Sequence, residues 1–266
     1  MTLRVLLIRC LTVGLVILAG CSTSKTPAID PNAPPLRVFC SYPGSQYMPY
    51  FAWSGEGELS GFEPEVMNAV AEHLGLRVSF VTPDLDRSEG IDPRVQALRT
   101  DQADAVIYTM PRNGTYRDAV DFTIPYHVEG VGILVHRGSN IMSAGDLASK
   151  RLLAFKGTTA YAWAKTRFPT AQILTRYPPG ARGNVIDLIV NGYIDAFLID
   201  RSHLVWIASQ SEEVRVLPEQ RSQEEFAIAV KKGNGKLLDR LNSALVAMYK
   251  DGTLHELRDK WLSTSN

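Results

Sequence analysis

Gly61-Phe62-Glu63-Pro64-Glu65-Val66, continued at helical spacing by Ala69, Val70 and Leu74 and closed by Gly75, decides how the chain is read. Proline suits the first helical turn, and Glu63 and Glu65 set acid near the positive end of the helix dipole. The 3.6-residue apolar period predicts one buried face, and Gly75 a stop. On either side the period changes. Leu36-Arg37-Val38-Phe39-Cys40 reads as a strand bounded by Ser41-Tyr42-Pro43-Gly44, and Val78-Ser79-Phe80-Val81 as another. A short helix around Val95 to Leu98 leads into Ala103–Ile107. Further out, strands are expected at Gly132–Val135, Leu152–Phe155, Ile194–Asp200 and Phe226–Val230. Helices are expected after Gly157-Thr158-Thr159, over Asn184 to Asn191, and through Leu237, Leu241, Leu245, Met248, Leu254, Leu257 and Trp261. Such alternation predicts the α/β class with mainly parallel sheets.

The first residues follow another logic. Arg4 and Arg9 accompany an apolar run ending Leu18-Ala19-Gly20-Cys21, too short to span a membrane comfortably and shaped like a secretory signal. That ending resembles the bacterial lipobox, which implies removal of residues 1–20 and diacylation of Cys21, with stable membrane anchoring through two chains. Residues 21–35, polar and proline-containing, read as a flexible tether. Of the three cysteines, Cys10, Cys21 and Cys40, only Cys40 lies in the body, so no internal disulfide framework is expected there.

The 266 residues carry 28 Lys plus Arg against 28 Asp plus Glu, a balance with no general drive toward nucleic acid. His73, His127, His136, His203 and His255 lack metal-ligand spacing, so no metal or cofactor is expected. Neither a Walker loop nor a nucleophile elbow is present. Asp84, Asp86, Glu89 and Asp92 read as a solvent-facing acidic loop without EF-hand spacing.

In order along the chain stand GFEPEV (61–66), DAV (104–106), AVDFTIPY (119–126), KGTTA (156–160), DAFLID (195–200), FAIAVKKG (226–233) and DGTLHELRDKW (251–261). Their order and spacing resemble solute-binding protein family 3, the amino-acid-type periplasmic binding proteins. The resemblance implies a two-lobed type II periplasmic-binding-protein fold, with two mainly parallel sheets flanked by helices and a two-strand hinge. Transferred here, lobe one is 36–125 plus 227–266, lobe two is 131–221, and the hinge is 126–130 and 222–226. It further implies a ligand site at the cleft. Asp200 takes a ligand ammonium; its alternative use is as a helix cap. Gly157-Thr158-Thr159 offers backbone N–H groups and a hydroxyl to a carboxylate, with Lys156 beside it. Tyr47 walls the solute, with Tyr50 and Trp53 as further candidates, and Thr109 completes the set. The family's T-x-T-x-x-R arginine place holds Tyr116, with Pro111 and Asn113 at the threonine places. A shifted loop could bring Arg117 or Arg112 to supply the guanidinium, and Tyr116 is a further ligand candidate. An amine, a dicarboxylate or another small polar metabolite fits the site as well as an α-amino acid.

The function implied is a lipid-anchored, monomeric, extracytoplasmic protein, without catalytic residues, that captures a small polar solute for an ABC transporter permease. Two alternatives remain: a cyclohexadienyl-dehydratase-like enzyme on the same fold, and a sensory or accessory envelope protein.

Overall fold

A computed structural model describes residue 28 and residues 31–263, apart from 87, 89, 114–115 and 219–220. The expected signal segment, the expected lipidation site Cys21 and most of the expected tether fall outside those residues.

The first strand β1 (Leu36–Phe39) is followed by three short strands, β2 (Gln46–Tyr47), β3 (Phe51–Trp53) and β4 (Leu59–Ser60), which form a separate antiparallel sheet. The sequence offered no alternating period there, only aromatics and turn residues. Helix α1 (Phe62–His73) begins as its sequence predicts. Gly61 before it is required: at φ 124°, an added Cβ would lie 2.4 Å from the Tyr50 carbonyl oxygen. Then come β5 (Val78–Phe80), α2 (Pro93–Arg99), β6 (Ala105–Val106) and the long β7 (Val120–His136). The middle of the chain supplies β8 (Arg151–Leu153), α3 (Thr159–Arg167), β9 (Gln172–Leu174), α4 (Val185–Val190), β10 (Ala196–Asp200), α5 (Arg201–Ser209) and β11 (Val214–Val216). The chain closes with β12 (Arg221–Lys231), α6 (Gly235–Asp251) and α7 (Thr253–Leu262).

The expected parallel pairing holds in two places, β5-β1-β6 and β10-β8-β9. Between them run β7 and β12, antiparallel to each other over a register from Lys231↔Val120 to Arg221↔Val131 with three shifts. The strands expected at 132–135 and 226–230 are therefore only parts of two long ones, and these join both parallel groups into a nine-stranded ladder. Two pairs of apolar clusters lie along it. One draws on residues between 36 and 126 and between 226 and 254; the other lies between 131 and 217. Tyr47 packs against a cluster from each set. Burying fully enclosed side chains such as Phe62, Phe226, Ile133 and Leu134 contributes about 1.5–3 kcal/mol each.

Candidate functional site

A cavity of about 450 Å³ opens between the two sets of clusters. Tyr47, Tyr108 and Thr109 line it on one side, Gly157, Thr158, Thr159 and Asp200 on the other, and Glu224 and Phe226 of β12 at the back. Of the residues the sequence singled out, Tyr47, Thr109, Thr158, Thr159 and Asp200 thus share one space. The others lie elsewhere. Tyr50 is fully buried behind Tyr47, Trp53 donates its indole N–H to Ser41 Oγ (2.8 Å), and Lys156 is exposed. Arg112 forms an ion pair with Glu225 (2.5 Å), and Arg117 points to solvent. Neither expected arginine reaches the cavity.

Arg94 does. Pro93 at the first position of α2 and Asp92 as its cap place Arg94 at the second position, within the first turn. Asp92 accepts from the Arg94 backbone N–H (2.8 Å), from Nε (3.0 Å) and from Nη2 (2.7 Å). Nη1 donates to the Tyr108 and Thr109 carbonyls at 3.1 and 3.3 Å. Tyr116, standing at the family's arginine place, accepts from Nη2 (2.9 Å) and donates to Asp92 (3.0 Å). Asp92 is therefore not part of a solvent-facing loop, although Asp84 and Asp86 are exposed; Glu89 lies outside the described residues. Burial would raise its carboxyl, but the Arg94 bonds and charge and the Tyr116 hydroxyl hold it below the usual range. No residue pattern in the sequence marks Arg94 as facing a cavity; Asp-Pro-Arg reads only as a capped helix start.

Thr109 takes φ 37°, an unfavourable conformation for a β-branched residue, and its N–H donates to Glu63 Oε1 (2.7 Å). Glu63 does more than start a helix. It is wholly buried, also accepts from the Tyr126 hydroxyl, and is pushed up to about 8 by burial despite those bonds.

Across the cavity, Gly157 turns at φ 85° into α3, whose first-turn N–H groups have no carbonyl partner one turn back within the helix. The Thr158 hydroxyl is occupied, donating to the Phe155 carbonyl (2.7 Å) and accepting from the Tyr161 N–H (3.2 Å). Thr159 donates its hydroxyl to Glu224. Asp200 ends β10 and accepts from the Tyr47 hydroxyl (2.8 Å). Burial raises its carboxyl to about 7, the Tyr47 bond opposing, with the charges of Glu129 and Glu224 adding to the rise. Burial likewise raises Glu224. His203 stacks on Tyr47 (4.0 Å between centroids) and gives its Nδ1–H to the Met48 carbonyl (2.6 Å). Burial pulls His203 down to about 4, so the ring is neutral at pH 7. Tyr47 and His203 thus link the two sides of the cavity.

A cavity between two α/β units, with a guanidinium on one face and a helix start and a carboxylate on the other, defines a receptor for a small polar molecule. The chain belongs to the bacterial extracellular solute-binding proteins, family 3, matched over residues 43–264. It is 31% identical over 218 residues to the L-cystine-binding protein TcyJ of Escherichia coli (strain K12), covering 81% of this chain and 79% of that one. The crystal structure of the ancestral amino acid-binding protein AncCDT-1, a precursor of cyclohexadienyl dehydratase, is similar at a TM-score of 0.70 and 30% identity, covering 86% of this chain and 95% of that chain. A putative ABC-transporter binding component from Wolinella succinogenes, complexed with lysine, is similar at a TM-score of 0.73 and 26% identity, over 86% and 96% of the two chains. Its relatives are named as binding proteins, and they are two-lobed. Among the described residues, no group of three or more potential ligands could hold a metal ion, and no helix is long and apolar enough to cross a membrane.

Proposed function

We propose that this chain captures an α-amino acid in the Arg94–Asp200 cavity. Its lobes are 36–125 with 227–266, and 131–221, hinged at 126–130 and 222–226. One observation carries this reading: the Arg94 guanidinium, the start of α3 and the Asp200 carboxyl line the same 450 Å³ space. Arg94 and the first turn of α3 receive the α-carboxylate, where the guanidinium and the helix dipole both favour an anion. Nη1 of Arg94, with its two longer carbonyl contacts, is the nitrogen a carboxylate can win over. Asp200 receives the α-ammonium in a charge-assisted bond that joins or displaces the Tyr47 hydroxyl. Tyr47, Phe51 and Phe226 exclude water around these contacts.

The names of the relatives support an amino acid as the solute, and contacts from both lobes supply the free energy that favours the closed form. Anchoring through lipidated Cys21 and delivery to an ABC importer complete the proposal, and a chain acting alone as a monomer suffices for both. Calorimetric titration of the purified chain with the common amino acids tests the capture step. Micromolar binding that R94M and D200N each weaken at least a hundredfold is expected; absence of heat with every amino acid would refute it. Turnover of prephenate or arogenate would favour the enzymatic alternative instead. Palmitate labelling lost in C21S tests the anchor.

A further inference from the structure

Among the described residues, three ionisable acids and bases other than tyrosine line the cavity: Arg94, Asp200 and Glu224. The positive charge of Arg94 is already opposed by Asp92 at 2.7 Å. An amino acid brings one carboxylate for Arg94 and one ammonium for Asp200. Glu224 is then left over.

The place of Glu224 in the fold makes that remainder meaningful. It lies on β12, opposite Glu129 of β7, where the two long strands cross between the lobes. Its carboxylate takes the Thr159 hydroxyl at the start of α3, across from Arg94. It also lines a second cavity of about 440 Å³, with Arg112, Val128 and Thr159. Thr159 and Glu224 are common to both cavities and form the wall between them. A ligand seated on Arg94 and Asp200 whose side chain runs toward β12 ends at this wall. The one cation acting on Glu224 among the described residues, Arg94, is held by Asp92 and would also face the ligand carboxylate. Closing the lobes on a neutral side chain would therefore bury a carboxylate with no cation of its own, which costs several kcal/mol unless a proton is taken up.

We infer that Glu224 is a specificity-determining residue that selects amino acids carrying a second, distal ammonium or guanidinium. This rests on the amino-acid reading above. The distal cation has two chemical sources: a basic side chain, as in lysine, ornithine or arginine, or the second amino group of a disulfide-linked amino acid pair, as in cystine. Glu129, also close to Asp200, does not serve this purpose, because its oxygens are taken by Tyr50, Gly130 and Ser202.

The test titrates the full-length chain, dialysed free of carried-over solute, with lysine, ornithine, arginine, cystine, norleucine and glutamine. Norleucine is lysine without its amine, so that pair isolates the distal charge in the wild-type chain without any substitution. At least one distal cation is expected to bind ten or more times tighter than both neutral ligands. In E224Q, whose amide oxygen can still accept from Thr159, that ratio is expected to fall within threefold. Norleucine or glutamine binding as tightly as every cationic ligand would overturn the inference while leaving amino-acid capture standing, and so would a ratio unchanged in E224Q. Should none of the six bind while another common amino acid does, this inference falls alone; should no amino acid bind at all, amino-acid capture falls and this inference with it. Lysine against cystine then separates the two sources.

Discussion

Asp92 and Asp200 occupy the same place in two helices. Each is the residue before the first helical turn, with φ −55°, ψ 126° in one and φ −53°, ψ 127° in the other. Their chemistry is opposite. Asp92 caps α2, grips Arg94 and is held below the usual carboxylate range. Asp200 makes no capping bond and rises to about 7. The cause lies on β7: the Ser202 N–H, which a capping Asp200 would receive, donates instead to Glu129 Oε2 (3.3 Å). A capping aspartate is used up by its own helix, whereas one relieved of that duty leaves its carboxyl facing the cavity, here against the Tyr47 hydroxyl.

Removing each charge should therefore have opposite effects on the empty protein. D200N gives the largest effect on binding, a loss of at least a hundredfold, read by calorimetric titration. Yet the empty variant should be more stable than wild type at pH 8. Folded Asp200 keeps its proton up to about pH 7, while the unfolded residue releases it near 3.8. Its contribution to stability is thus complete below pH 4 and is lost as pH rises through 7. Asparagine has no such loss, so scanning calorimetry from pH 5 to 8.5 should show a flatter profile in D200N. Glu63, at about 8, leaves a residual slope of the same sign in both proteins. A D200N chain that melts lower than wild type at pH 8 would break the comparison.

D92N should do the reverse. It weakens a cap and the ion pair with Arg94, so urea unfolding should show a loss of about 1–2 kcal/mol. Binding should weaken about tenfold, because Arg94 keeps its charge and loses its orientation.

The same pair of residues shows how far the sequence could be read. The strand ending at Asp200 and the glycine turn before α3 were legible because strand length, glycine and cap chemistry are local. The alternation that places β1, α1 and β5 was legible for the same reason. Arg94 was not, since its use depends on Tyr116 and two carbonyls, Tyr108 and Thr109, that are 14 to 22 residues away. Counting along the family pattern pointed to Arg112 and Arg117 because they are near Tyr116 in sequence. The fold spends Arg112 on Glu225 and leaves Arg117 exposed. Nor could Asp200 be told from a cap, because what relieves it of that role is Glu129, 71 residues earlier in the chain.

The smallest effect is expected at Tyr116, and it decides what the tyrosine contributes. Its hydroxyl accepts from Arg94 and donates to Asp92, closing a three-membered network around the guanidinium. The Arg94 guanidinium also lies over its ring, 5.2 Å from the centroid, which Phe would preserve. Y116F therefore removes one hydrogen-bonding group and leaves the stacking. About 0.5–1.5 kcal/mol of stability should be lost, the usual net worth of such a bond. Ligand affinity should fall two- to fivefold, because Asp92 still holds Nε and Nη2. Y116A, which loses the ring as well, should fall further. If Y116F weakened binding as severely as D200N, Tyr116 would be touching the ligand itself, and the division between an aspartate that builds the site and one that receives the solute would have to be drawn elsewhere.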